Sequence, residues 1–157
     1  MRRMAVATGL LGAVAVGMPA GAIEDLAGLY DAKVSCKGIQ AGSRGKQKLE
    51  LEIAVGDLGG GQVLLDVPGL GDFDGFLITD LAKPDGGVLS ALTCPLSVGN
   101  QDGSLLQVDV KTKAGSDAAS FKGTLVILDE AEAQSAVCKI TAKRTSTSAP
   151  KLVGCPG

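Results

Sequence analysis

The sequence predicts an all-β domain: eight short strands wound as an antiparallel up-and-down β-barrel and stapled by disulfides, with a β-sandwich as the alternative. Three observations predict it. Apolar and polar residues alternate with the two-residue period of half-buried strands in segment after segment. Clusters such as "GDLGGG", "PGLGDFDG", "KPDGG", "VGNQDG" and "KAGSD" separate those segments with hairpin-turn chemistry. Four cysteines follow an N-terminal stretch that reads as an export leader.

That leader, "MRRMAVATGLLGAVAVGMPAGA", has two arginines, a weakly apolar run and small residues around Ala20-Gly21-Ala22. The order is that of a bacterial secretory signal cleaved after Ala22. Its apolar run is too short and too rich in glycine to span a bilayer. The surroundings of Arg2-Arg3 match a twin-arginine signal poorly, so the general export route is expected. The residue directly after the cleavage site is Ile23 and not cysteine, so a lipoprotein or other membrane anchor is not expected. The domain plan is therefore a signal peptide over 1–22, a β-barrel over 23–145 and an extended strap over 146–157. Cleavage would leave 135 residues and move the net charge from −2 to −4. The expected location is the periplasm or the cell exterior.

A helical turn is expected over 24–30, before the first strand. Tyr30, Ala32, Val34 and Cys36 then alternate with Asp31, Lys33, Ser35 and Lys37. Leu49, Leu51, Ile53 and Val55 form the second dry face, with Lys48, Glu50 and Glu52 between them. Segments 62–68, 75–81, 88–95 and 121–128 are less regular but rich in Val, Leu, Ile and Phe. Leu106, Val108 and Val110 mark the sixth strand, and Cys138, Ile140 and Ala142 the last. The "EAEAQ" piece at 130–134 suits a short helical turn before that last strand.

The cysteines favour the barrel. Four cysteines allow three connectivities. In an up-and-down barrel the first and last strands are antiparallel neighbours. Cys36 lies late in the first and Cys138 early in the last, so both reach one end, on the inward face. A Cys36–Cys138 bond would staple the closure seam within disulfide reach. Cys94 ends the fifth strand at that same end. The ten or so residues after the last strand span roughly 33 Å when extended, enough to bring Cys155 back to Cys94. Cys138–Cys155 with Cys36–Cys94 is the competing pairing.

Composition excludes much chemistry. The chain has no histidine, which removes the usual general base, the usual zinc ligand and every Ser-His-Asp or Cys-His arrangement. No Cys-x-x-Cys pair suggests redox work or haem attachment. Mild acidity, one tyrosine, three phenylalanines and no tryptophan argue against nucleic acid as a partner. Asn100 precedes Gln101-Asp102, so no glycosylation sequon exists. "GSRGK" at 42–46 lacks the phosphate-loop spacing and, with "GGGQ" at 59–62, reads as a flexible connection. No cofactor and no catalytic residue is expected, and the protein is not expected to be an enzyme.

Two features carry the remaining candidates. Asp72-Phe73-Asp74-Gly75 echoes the middle of a calcium loop, but Leu70 and Leu81 stand where its end ligands belong. Asp72 and Asp74 are thus weak metal candidates in what reads as a hairpin turn. They also raise carboxylate-only hydrolysis, the less favoured reading beside calcium, since nothing sets the separation that pair would need. The inward faces are the better candidate. Val63, Leu65, Phe76, Ile78, Leu106, Val108, Phe121 and Leu125, with Val67 and Ile127, would line an interior that is either filled or able to hold one small apolar ligand.

"LAGLYDAKVSCKG" resembles the opening of a lipocalin-like barrel, in which Gly-x-Trp begins the first strand. Gly28-Leu29-Tyr30 holds that place here, with tyrosine where the diagnostic tryptophan belongs. Arg144 matches the basic residue that in that family packs over the tryptophan from the last strand. The resemblance covers these two short pieces. It implies a calycin-type barrel with an apolar ligand in its cup, or a rigid support such as secreted bacterial protease inhibitors of this shape use. The expected function is accordingly an exported, non-catalytic binding protein that holds an apolar small molecule in the barrel. The alternative is a protein-interaction or inhibitor module that meets an exported partner with its rim and loops.

Overall fold

The computed structural model describes residues 26–37, 47–80, 83–94, 103–113, 115–128, 134–148, 151–153 and 155. The leader, most of the predicted turn at 130–134 and the "GSRGK" connection lie outside them. Eight strands follow in order: β1 (Gly28–Lys37), β2 (Gln47–Gly59), β3 (Gln62–Val67), β4 (Gly71–Asp80), β5 (Lys83–Thr93), β6 (Ser104–Lys113), β7 (Ser116–Leu128) and β8 (Gln134–Ser146). Each pairs antiparallel with the next, and β8 returns to β1 to close the barrel. Closure leaves no free sheet edge. The sandwich alternative is thereby set aside.

Two details differ from the sequence expectations. No helical turn precedes Tyr30 in the described residues, because Leu26 and Ala27 are irregular and β1 already begins at Gly28. Asp72–Gly75 is not a turn either. The reversal is made by Pro68, Gly69 and Leu70, where Leu70 N–H donates to Val67 O at 2.9 Å, and Asp72 already lies in β4.

Buried side chains gather at both ends of the described barrel, although Leu49, on the dry face expected for β2, is exposed. Near the start of β1, Tyr30 stacks on Phe121 with ring centroids 4.5 Å apart. Its hydroxyl donates to Leu26 O at 2.7 Å, holding the fully buried Leu26 beneath it. Arg144 stands opposite Tyr30 in the β1–β8 register. Its Nη1 donates to Ala27 O at 3.2 Å and its Nε to Asp117 O at 2.6 Å, tying the last strand to the chain before β1 and to β7. Gly28 is needed there: at φ +152°, a Cβ would stand 2.9 Å from Arg144 Cδ. At the other end Val67, Phe73, Cys36 and Cys138 are buried.

The walls are also pinched. Gly123 faces Val108 across the β6–β7 ladder, and a Cβ on it would lie 2.6 Å from Val108 Cα. Gly75 makes the same close approach to Ala91. Missing side chains at these two inward positions let the strands coil tightly enough for a core of Leu, Val, Tyr and Phe to fill the lumen.

Both predicted disulfides are present. Cys36 and Cys138 are directly opposed on β1 and β8 with Cα atoms 3.9 Å apart, so the bond crosses the closure seam from inside. Cys94 is bonded to Cys155, with Cα atoms 5.2 Å apart. The strap therefore leaves β8 at one end of the barrel and is anchored at the other. On its way Leu152 covers Gly56 of β2, whose Cβ would meet Leu152 Cδ1 at 3.4 Å. Gly56 pairs with Leu64, which alternation puts on the outer face yet is buried. An apolar outer spot under the strap accounts for that burial.

Opening this bond by Cys94→Ser with Cys155→Ser is expected to cost about 2–4 kcal/mol. Amides of β2 and β3 around Gly56 and Leu64 should exchange faster while those of the β1–β8 seam stay protected. Hydrogen exchange read by mass spectrometry checks this.

Candidate functional site

Of the eight predicted interior contacts, six face the lumen. Val63, Leu65, Leu106, Val108, Phe121 and Leu125 are at most 3% exposed and belong to one continuous core with Tyr30, Phe73 and Leu89. Val67 joins them fully buried, and Ile127 packs against the same cluster. Burial this complete packs these side chains into a single apolar cluster.

Phe76 and Ile78 do not belong to that set. They are 60% and 69% exposed and stand on the outer face of β4. The inward positions of β4 are Phe73, Gly75 and Leu77 instead. Reading the strand from Gly75 put the period out of phase by one residue, and such a slip turns every side chain to the opposite face. The acids carried the missing signal: Asp72 and Asp74 share the parity of Phe76 and Ile78, and a face that shows carboxylates to water shows those residues too.

The outward residues form a surface. Ile78 pairs with Val88 across the β4–β5 ladder, Phe76 with Ser90, and Leu92 with Leu105 across β5–β6. All five of the apolar residues are exposed. Single exposed apolar residues are ordinary, but a run across three strands marks an interaction surface. Carboxylates border it: Asp74 lies beside Phe76 on β4 and Asp72 beyond it, opposite Asp66 of β3.

Asp72 and Asp74 point outward along one strand, two residues apart, which is roughly 7 Å. Asp74 is occupied by Gln62, whose Nε2 donates to both carboxylate oxygens at 3.1 Å. Among the described residues no three metal-ligating side chains converge on one point. Among the described residues Ser104 is the one buried residue of polar type, and its backbone N–H donates to Thr93 Oγ1 at 2.9 Å. No helix among the described residues is long and apolar enough to cross a membrane.

No family model, curated protein or solved structure matches the chain.

Proposed function

We propose that the protein is an exported, non-catalytic binding protein that docks another protein on the outer face of β4, β5 and β6. One observation carries this reading: Phe76 and Ile78, the aromatic and the largest β-branched side chain of that face, stand more than half exposed while the lumen beneath is closed. A soluble domain that could have buried them and does not is holding them for a partner. The partner is a protein with an apolar centre and a basic border, matching the apolar run and Asp66, Asp72 and Asp74. Export is supported by the leader and by two disulfides that suit an oxidising compartment. The absence of histidine supports a role without catalysis.

An apolar molecule held in the cup has less support. It would need Val63, Leu65, Leu106, Val108, Phe121 and Leu125 to part from contacts that now exclude solvent. Fold likeness to cup-forming barrels adds nothing to that, since function lies in the site and not the fold.

A photo-crosslinking residue at Ile78 in the native host is expected to trap one partner, which the purified protein then binds directly. Phe76→Asp with Ile78→Asp should abolish that binding and change stability by about 1 kcal/mol or less. Crosslinking equally efficient from position Glu52 on β2, or undiminished binding by the double variant, would remove this face as the docking surface.

A further inference from the structure

The opposite side of the barrel carries a different pattern. On the outer face of β1, β2, β6, β7 and β8, three hydroxyl residues each sit between two lysines in register. Ser35 on β1 has Lys139 of β8 on one side and Lys48 of β2 on the other. Thr141 on β8 lies between Lys33 of β1 and Lys122 of β7. Ser120 on β7 lies between Lys143 of β8 and Lys111 of β6. Each row steps one strand over and two residues along from the last, so the hydroxyls trace a diagonal with lysines on both banks. Strand spacing puts the two lysines of a row roughly 9.6 Å apart at the backbone and successive rows roughly 8 Å apart.

All six lysines are exposed. The acids nearby stand on the far side of the lysines, never among the hydroxyls: Glu50 beyond Lys33, Asp109 beyond Lys122 and Asp31 beyond Lys143. Lys33 Nζ meets Glu50 Oε1 at 3.0 Å, between side chains 77% exposed, where such a pair is weak and easily exchanged. Among the described residues Lys48, Lys139 and Lys111 have no acid within salt-bridge distance. A groove of about 320 Å³ opens over the first two rows; Lys33, Ser35, Lys48, Lys139 and Thr141 line it together with Glu50 and the apolar Val34 and Leu49.

We infer that this lysine-banked channel binds an extended anionic polysaccharide. Lysines on both sides would hold its sulfate or carboxylate groups, and Ser35, Thr141 and Ser120 would hydrogen-bond its sugar hydroxyls. Charge complementarity selects the ligand, because the chain as a whole is acidic and would otherwise be repelled by a polyanion. Nucleic acid fits less well: the three rows offer neither an aromatic ring for a base to stack on nor an arginine fork for a base edge. An anionic membrane would use the lysines but has no use for a line of hydroxyls at the bottom of a channel. The inference is independent of the protein-docking face, which is carried by Phe76 and Ile78 of β4 and shares only β6 with the channel.

Heparin serves as the probe, with fluorescence anisotropy of the labelled chain as the readout. The unaltered protein should bind, and Lys48→Gln with Lys139→Gln should weaken binding roughly tenfold and flatten its salt dependence. Lys83→Gln on β5 with Lys151→Gln on the strap removes the same charge away from the channel and should change binding less than about twofold. Lys48→Arg with Lys139→Arg should restore it. Ser35→Ala with Thr141→Ala should weaken binding while leaving the salt dependence as it was. Equal losses for the two Gln pairs would overturn the channel. Tighter binding to a single-stranded DNA oligonucleotide, or to vesicles containing phosphatidylglycerol, would overturn the polysaccharide in favour of those ligands.

Discussion

Replacing Cys36 and Cys138 together with alanine is expected to lower the stability of the barrel by about 4 kcal/mol. The bond joins residues 102 apart in sequence, and releasing a loop of that length returns a large conformational entropy to the unfolded chain. It also sits where the barrel is most exposed to opening. The β1–β8 ladder is the contact between the two ends of the fold, and every other ladder joins strands adjacent in sequence. Urea unfolding of the double variant, compared with the oxidised parent, gives the number. A loss under about 1 kcal/mol would mean that the ladder and core close the seam without the bond.

Tyr30→Ala should cost about 3–5 kcal/mol. The ring is fully buried against Phe121, and its loss leaves a cavity beside Phe121 and also removes the hydrogen bond that holds Leu26. Tyr30→Phe separates the contributions: it keeps the stacking and removes the bond to Leu26 O, which is worth about 1 kcal/mol. Thermal unfolding of the two variants should therefore show a large and a small shift. Similar shifts for both would place the stabilisation in the hydroxyl instead of the ring.

Much of this architecture was legible because the physics is local. Period-two alternation marked β1, β2, β6 and β8 directly, since one face of each meets the core and the other meets water. Topology favoured the observed cysteine pairing once the strands were counted, because strand parity decides which end of a barrel each cysteine reaches, and the structure decides against the competing Cys138–Cys155 bond. β4 was misread for an equally physical reason. Gly71, Asp72, Asp74 and Gly75 have turn chemistry, and nothing in the residues themselves shows that Gly75 is there for close approach to Ala91 in a neighbouring strand. Both outer surfaces escaped the sequence for a related reason. Ser35, Thr141 and Ser120 lie 9 to 108 positions in sequence from the lysines that flank them; what joins them is register, and register is a tertiary property. The burial of Leu64 was hidden likewise, because the strap that covers it arrives from the far end of the chain.

The central claim is that the barrel is filled and that the protein works through its outside. Native mass spectrometry of the protein isolated from its own compartment, followed by titration with an apolar fluorescent probe, tests this most directly. The expected result is the bare mass of the disulfide-bonded chain and no saturable probe uptake sensitive to Leu106→Trp, a change that would crowd an open lumen. A co-purified lipid, or saturable uptake that Leu106→Trp abolishes, would contradict the claim and move the binding site inside the barrel.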